Sequence, residues 1–272
     1  MTAPPRATLA ACIIAFNEED RIGGCLDSVA WADEIIVVDS GSTDRTAAIA
    51  REKGARVIVR DWPGYVAQKN FALGQAAADW ALSVDADERV TAELAAAIRG
   101  LLAAPGEGVA GASVPRRTWY LDRWIRHGGW YPDRRVRLVR RGRGRWEGGH
   151  VHERLVAEGA VRALEGDLLH LTYRGLADQL RTIDRYTTEA ARGLAERGAR
   201  GALGGMIVNP PLKFLKMYLL KAGFLDGLPG FISAVMGGHY VFLKYAKLWE
   251  LRRRERDATG AGGVGRPWID GN

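Results

Sequence analysis

Four short apolar runs alternate with stretches of helical periodicity through the first hundred residues, and this alternation constrains the fold more than any other feature. The runs are "LAACIIAF", "EIIVVDS", "ARVIVR" and "WALSVD". None keeps the every-second-residue polarity of a strand with one wet face, so each reads as a strand covered on both sides. Between and after them, helices are expected at about Glu18 to Val29, Asp44 to Lys53, Val66 to Ala78 and Thr91 to Leu102. Strand, helix, strand, helix in this order predicts an α/β fold with a parallel sheet and helices on both faces.

Such sheets bind ligands beyond the carboxyl ends of their strands. The polar residues fall at those ends: Asn17 and Glu18 after the first run, Asp39 to Asp44 after the second, Asp85 to Glu88 after the fourth. Three loops far apart in sequence are thereby brought to one crevice. Asp39, at a strand end, can accept hydrogen bonds from a base or ribose. Asp85 and Asp87, two apart, point to the same side if extended, and a divalent cation bridging a diphosphate would relieve their repulsion. A solvated turn is the alternative reading of the same residues. Glu88 is expected to be solvated at the start of the next helix, where a negative charge suits the dipole.

From about Gly108 the pattern changes to short strands rich in Arg, Gly and aromatics, read as a mixed, partly antiparallel continuation of the sheet. Eleven arginines lie between Arg116 and Arg145, with Trp119, Tyr120, Trp124, Trp130 and Tyr131 among them, and they account for much of a net charge of +7. Such a segment suits an anionic membrane surface, a phosphorylated acceptor or nucleic acid, or is simply a solvated face. Trp119, Trp124, Trp130 and Trp146 are placed to stack on sugar rings or to pack. Cys12 and Cys25 are the only cysteines, which leaves no disulfide framework and fits a reducing compartment. The amino-terminal stretch has no separate apolar segment with a cleavage site.

Leu176, Leu180, Ile183, Thr187, Ala190 and Leu194 recur at helical spacing and predict a long amphipathic helix. After Pro210 and Pro211 comes an apolar stretch studded with Lys213, Lys216, Lys221, Lys244 and Lys247. On an ideal helix the first three of these lysines span an arc of roughly 140°. The longest uncharged run, Gly227 to Leu243, contains Pro229 and several glycines. A hairpin lying on a membrane surface is therefore preferred to a spanning helix or a buried cap. The expected organisation is a catalytic domain over residues 1–175, a helical region over 176–256 and a disordered tail over 257–272.

"IIAFNEE", "EIIVVDSGSTDRT", "QKNFALGQAAADWALSVDADE" and "VHE", in this order between about Leu9 and Tyr173, resemble the successive motifs of the inverting family 2 glycosyltransferases. "KAGFLDGLPGF" and "FLKYAKLWE" resemble the carboxyl-terminal part of the lipopolysaccharide inner-core β-1,4-glucosyltransferase-like subgroup. The resemblance implies a GT-A (Rossmann-like) mixed sheet flanked by helices, with a helical, membrane-associating appendage. It implies that Asn17, Glu18, Asp39, Asp44, Lys69, Asn70 and Asp85 line the nucleotide pocket. Asp87, with Asp85 and His170, would ligate Mg²⁺ or Mn²⁺. Glu153 would be the general base, with Asp133 the second choice, because the chain lacks the Glu-Asp pair and the Gln-x-x-Arg-Trp signature of some relatives. His150 and His152 read more simply as packed strand residues than as ligands.

The function implied is transfer of a hexose, glucose foremost, from a UDP-sugar to a lipopolysaccharide-core or other lipid-linked glycan, with no nucleic acid as partner. The enzyme is expected to be cytoplasmic and peripheral on the inner face of the cell membrane. A polyprenyl-phosphate glycosyltransferase is the nearest alternative. A sugar-nucleotide pyrophosphorylase should carry a Gly-rich loop where this chain has "FNEEDR". A basic module binding membrane or nucleic acid explains the arginines but leaves Asp39, Asp85 and Asp87 without a purpose.

Overall fold

The structure, a computed structural model, describes residues 6–148, 153–199 and 201–258. His150, His152 and the tail from residue 259 lie outside the described residues. The chain divides into two compact units, Met1–Thr172 and Tyr173–Asn272.

In the first unit the four apolar runs form β1 (Leu9–Ala15), β2 (Glu34–Asp39), β3 (Arg56–Val59) and β4 (Trp80–Asp85). The intervening and following helices are α1 (Ile22–Val29), α2 (Thr46–Glu52), α3 (Tyr65–Gly74) and α4 (Ala92–Ala103). Thr91 Oγ1 caps α4 by accepting from Leu94 N at 3.2 Å. Between β4 and α4 lies a short strand that the sequence reading does not anticipate, β5 (Glu88–Val90). The remaining strands are β6 (Val109–Tyr120), β7 (Arg123–Trp124), β8 (Asp133–Arg140), β9 (Gly144–Glu147), β10 (Arg154–Ala157), β11 (Ala160–Ala163) and β12 (Leu168–His170).

The main sheet runs β3-β2-β1-β4-β8-β6-β12-β5, with β7 and β11 also pairing with β6, and β9 and β10 form a separate hairpin. Strands β1 to β4 are mutually parallel, β8 is antiparallel to both β4 and β6, and β12 is parallel to β6. The sheet is therefore mixed, as expected. Alternation along β1 explains the unbroken apolar runs. Leu9, Ala11 and Ile13 pack with Leu26, Leu94 and Ile98 of α1 and α4, while Ala10 and Cys12 pack on the other face with Ala72 and Trp146.

The second unit is helical: α5 (Leu176–Glu196), α6 (Ala202–Leu215), a π-helical turn (Lys216–Leu220), a short 3₁₀ turn (Gly223–Asp226) and α7 (Gly227–Ala258). Sequence reading places the apolar helix after the two prolines, yet α6 begins earlier and carries Pro210 and Pro211 inside it. A proline inside a helix costs on the order of 3 kcal/mol, which packing against α7 offsets. Glycines make that packing close. A Cβ on Gly205 would stand 2.6 Å from the Tyr245 ring, and one on Gly237 would stand 2.4 Å from Met217 Sδ. The regular α-helix does not continue past Leu215: the chain enters the π turn at Lys216, and Ala222 after it adopts a left-handed φ of 53°. Lys247 Nζ pins α7 to α5, donating to the Asp184 carbonyl and carboxylate at 2.6 Å and to Thr188 Oγ1 at 2.8 Å.

Candidate active site

The loops after β1 and β2 are stitched together by the residues singled out there. Asn17 Oδ1 accepts from Thr43 N at 2.9 Å, and Asn17 N donates to Ser42 Oγ at 2.9 Å. Asn17 has a φ of 53°, a left-handed conformation that asparagine tolerates better than most residues. Glu18 N donates to Thr46 Oγ1 at 2.8 Å, and Asp44 Oδ1 accepts from Thr46 N at 2.9 Å. Burial raises the Asp44 carboxyl, but the Thr46 hydroxyl and amide outweigh this and hold it below the usual range.

Asp39 is buried at the end of β2, and its Oδ2 accepts from Gly41 N at 3.1 Å and Ser42 N at 2.9 Å. Its Oδ1 takes the Ser42 hydroxyl. The carboxylate thus shapes the loop after β2. Asn70 is committed in a similar way: its amide donates to Trp146 O at 2.9 Å and accepts from Trp146 N at 2.8 Å, fixing β9 against α3.

The acidic stretch after β4 is not extended. Asp85 ends β4, residues 86 and 87 form a turn, and Glu88 opens β5, so the same-side argument for Asp85 and Asp87 does not apply. Each carboxylate is instead met by basic side chains, and Arg137 is shared by Asp85 and Glu88. Asp85 lies 3.0 Å from Lys69 Nζ and 3.2 Å from Arg137 Nη2. Asp87 faces His170 Nε2 at 3.3 Å and Arg21 at 3.9 Å. Glu88, expected in solvent, is wholly buried: its Oε1 accepts from Arg137 Nη2 at 2.6 Å and its Oε2 from Asp85 N at 3.0 Å. Burial raises the Asp85 carboxyl, yet Lys69 and then Arg137 reverse this and hold it far below the usual carboxylate range. Burial pushes Glu88 up, Arg137 opposes that, and Asp85 adds to it.

Lys69, on α3, is only 4% exposed and lies over the Trp146 ring at 4.3 Å. Its Nζ also lies 3.6 Å from Glu153 Oε1, so the first-choice base joins the Asp85 cluster directly. Asp133 does not share that ammonium. It is held by Arg116 and Arg135, each at 2.8 Å, and Arg116 is 3.7 Å from Glu88. Sequence reasoning missed Arg137, Arg21 and Arg116 as parts of this cluster. The available signal was a charge between Val136 and Leu138 inside an apolar strand.

Much of the arginine-rich segment is absorbed internally: Arg117 pairs with Asp167, Arg134 with Glu165, and Arg145 with Glu147 and Glu158. Trp119 and Trp124 meet edge to face at 5.1 Å across β6 and β7, and Trp130 packs on Tyr120 at 5.2 Å. Those rings pack on one another.

The donor chemistry fits a hard divalent cation. His170 Nδ1 is buried without a hydrogen bond, and the Asp87 side chain keeps 20% of its surface open beside His170. Among the described residues, no three His, Cys, Asp or Glu side chains form a ready metal-binding group. A cation here would need oxygens from a ligand to complete its shell, which is how Mg²⁺ commonly binds phosphate substrates.

Residues 10–162 match the family model "Glycosyl transferase family 2". The chain is 38% identical over 258 residues, 90% of its length and 93% of the relative's, to the lipopolysaccharide core biosynthesis glycosyltransferase LpsC of Rhizobium meliloti (strain 1021). Among solved structures it is similar to mannosyl-3-phosphoglycerate synthase from Rubrobacter xylanophilus, with 21% identity, 71% of this chain and 76% of that one covered, and a TM-score of 0.47. It is also similar to glucosyl-3-phosphoglycerate synthase from Mycobacterium tuberculosis in complex with Mn²⁺, UDP and glucosyl-3-phosphoglycerate. That match has 28% identity and a TM-score of 0.35, and covers 42% of this chain and 44% of that one, less than half its length.

Proposed function

The chain belongs to glycosyl transferase family 2, and on that premise we propose that it moves a hexose, glucose foremost, from a UDP-sugar to a lipopolysaccharide-core or other lipid-linked glycan, with inversion at the anomeric carbon. The observation that carries this reading is the cluster around Asp85, where Lys69 links the Asp85 carboxylate to Glu153, while Asp87 on the neighbouring turn faces His170 at the end of β12. The acceptor class is supported by the 38% identity to LpsC, whose name gives lipopolysaccharide core biosynthesis.

In this reading Asn17, Glu18, Asp39 and Asp44 fix the two loops that form the nucleotide pocket. Asp39 acts through the loop it shapes. Asp87, with Asp85 and His170, would hold Mg²⁺ or Mn²⁺, which when bound supplies positive charge to the departing nucleoside diphosphate. Lys69 and Arg137 offset the charge of Asp85, which would otherwise repel a diphosphate. Glu153 takes the proton of the acceptor hydroxyl as its oxygen attacks the anomeric carbon from the face opposite the diphosphate. The new glycosidic bond forms as the bond from carbon to phosphate oxygen breaks, and UDP leaves with the electron pair.

Titration calorimetry of UDP with and without Mn²⁺, on wild type and Asp87→Ala, tests the donor half. Metal-dependent UDP binding that is lost in the variant supports the reading. A folded protein that binds no UDP with or without Mn²⁺ would sink it.

A further inference from the structure

The helical unit carries an apolar surface that the transfer chemistry does not use. Along α6 and its π-helical continuation, Leu203, Ile207, Val208, Leu212, Leu215 and Leu219 are all exposed at spacings of one helical face. Along α7 the exposed residues are Leu228, Phe231, Val235, Phe242 and Trp249, and the steps of three, four, seven and seven define a single stripe. The two stripes meet at an open groove lined by Leu203, Met206, Leu243 and Trp249 together with Lys247 and Glu250. At the bend between the helices Leu220 is 81% exposed and Leu228 69%, with Phe224 and Leu225 beside them. A run of exposed apolar side chains on this scale marks an interaction surface.

Charge selects the partner. From Leu203 to Trp249 the chain has five lysines and one acid, Asp226, and that acid is buried. Lys213, Lys216 and Lys221 are exposed among the apolar side chains. Burial and then the neighbouring Lys216 and Lys244 lower the Lys213 ammonium, a crowding of like charge that an anionic surface would relieve. Lysines with long apolar stems beside exposed leucines suit the boundary between headgroups and acyl chains. Among the described residues no single helix is long and apolar enough to cross a membrane, and the two segments Ala202–Leu220 and Gly223–Arg256 meet at a bend of 72°.

We propose that this bent pair is an interfacial wedge that docks on an anionic lipid bilayer, with Leu219, Leu220, Phe224, Leu225 and Leu228 entering the acyl boundary and Lys213, Lys216 and Lys221 meeting anionic headgroups. The proposal stands apart from the transfer reaction, because it rests on the second unit alone.

The test is flotation of the full chain with vesicles of phosphatidylcholine, and of phosphatidylcholine mixed with phosphatidylglycerol. Wild type should float with the anionic vesicles and weakly with the neutral ones. The double variant Leu220→Glu/Leu228→Glu should lower the bound fraction by about tenfold or more on the anionic vesicles, since two apolar anchors become charges. Lys213→Ala/Lys216→Ala/Lys221→Ala should lose the preference for anionic lipid and its sensitivity to salt. Circular dichroism and UDP binding, measured on each variant, separate failure of the wedge from failure to fold and from failure of the donor site. Folded, monomeric wild type that floats with neither vesicle overturns the proposal. So does a stable dimer that binds no vesicle and that the leucine variant disperses, which would assign the face to a second copy of the chain.

Discussion

Lys69 Nζ lies 3.6 Å from Glu153 Oε1 while the same ammonium sits 3.0 Å from Asp85 Oδ1. One buried cation thus serves the carboxylate proposed for the donor and the one proposed for the acceptor proton. Lys69→Met removes that cation and leaves Asp85 to Arg137 alone. The expected result is a loss of about 10²- to 10³-fold in transfer rate, with weaker UDP binding, read by steady-state kinetics and calorimetry. Lys69→Arg should not restore activity, because a planar guanidinium does not fit a site that is 4% exposed and roofed by Trp146.

The Arg137–Glu88 contact at 2.6 Å is buried on both sides. Removing Arg137 leaves buried Glu88 only the more distant Arg116 at 3.7 Å, whereas removing the Glu88 charge leaves Arg137 its Asp85 partner at 3.2 Å, so Arg137→Met should destabilise the fold by about 3–5 kcal/mol and Glu88→Gln by less. The double variant should be less damaged than the sum of the two. Urea unfolding of the four proteins gives the coupling, and strict additivity would show that the pair is not an interacting unit.

These two residues also mark where sequence reading stops. The strands β1 to β4 were legible because each is a continuous apolar run, and α4 was legible from Thr91 and its periodicity. Strand β5 was not, because it has three residues and opens with an acid that reads as solvated until Arg137, 49 positions later, closes on it. The role of Asn70 was hidden in the same way: its partner, the Trp146 backbone, is 76 positions away. Aspartates at strand ends announce a site, but which cation each one meets is decided by strand pairing, as β8 laid antiparallel to β4 places Arg137 under Asp85. The start of α6 was misread because proline was taken as a boundary, while the close approach of α7 holds the helix through it.

Acid should weaken one tie at the opposite end of the sheet. Asp79 Oδ2 accepts from Thr8 N at 2.9 Å and Thr8 Oγ1 at 2.8 Å, and those bonds hold its carboxyl below the usual range. A depressed folded value means that the stabilisation is fully present above the unfolded pKa of about 3.9 and is lost as pH falls through the lower folded value. Asp79→Asn should therefore be less stable than wild type at neutral pH, with the gap closing in strong acid. Thermal unfolding across that range checks it, and a gap that widens in acid would contradict the assignment.

Both thiols should be silent in the native protein. Burial, and then Glu34, push the Cys12 thiol up to about 12, and burial with Glu88, Asp87 and Asp85 raises Cys25 well above its ordinary value. At pH 8 a pKa of about 12 leaves a thiolate fraction of roughly 10⁻⁴, and both side chains are also shielded from solvent. A disulfide reagent should titrate no thiol in the folded protein and two in denaturant.

The two candidate bases separate in a single comparison. Glu153 joins the Lys69–Asp85 cluster, whereas Asp133 is clamped between Arg116 and Arg135. A base must offer a lone pair to the acceptor proton, and a carboxylate tied to two guanidiniums has less freedom to do so. Glu153→Gln keeps the shape and removes the basicity, so kcat should fall by about 10²- to 10⁴-fold while metal-dependent UDP binding stays near wild type. Asp133→Asn should instead lower stability through its arginines and change kcat by less than about tenfold. The decisive readout is kcat beside UDP affinity for the two variants. A Glu153→Gln enzyme with near-normal turnover and an inactive, folded Asp133→Asn would move the base to Asp133.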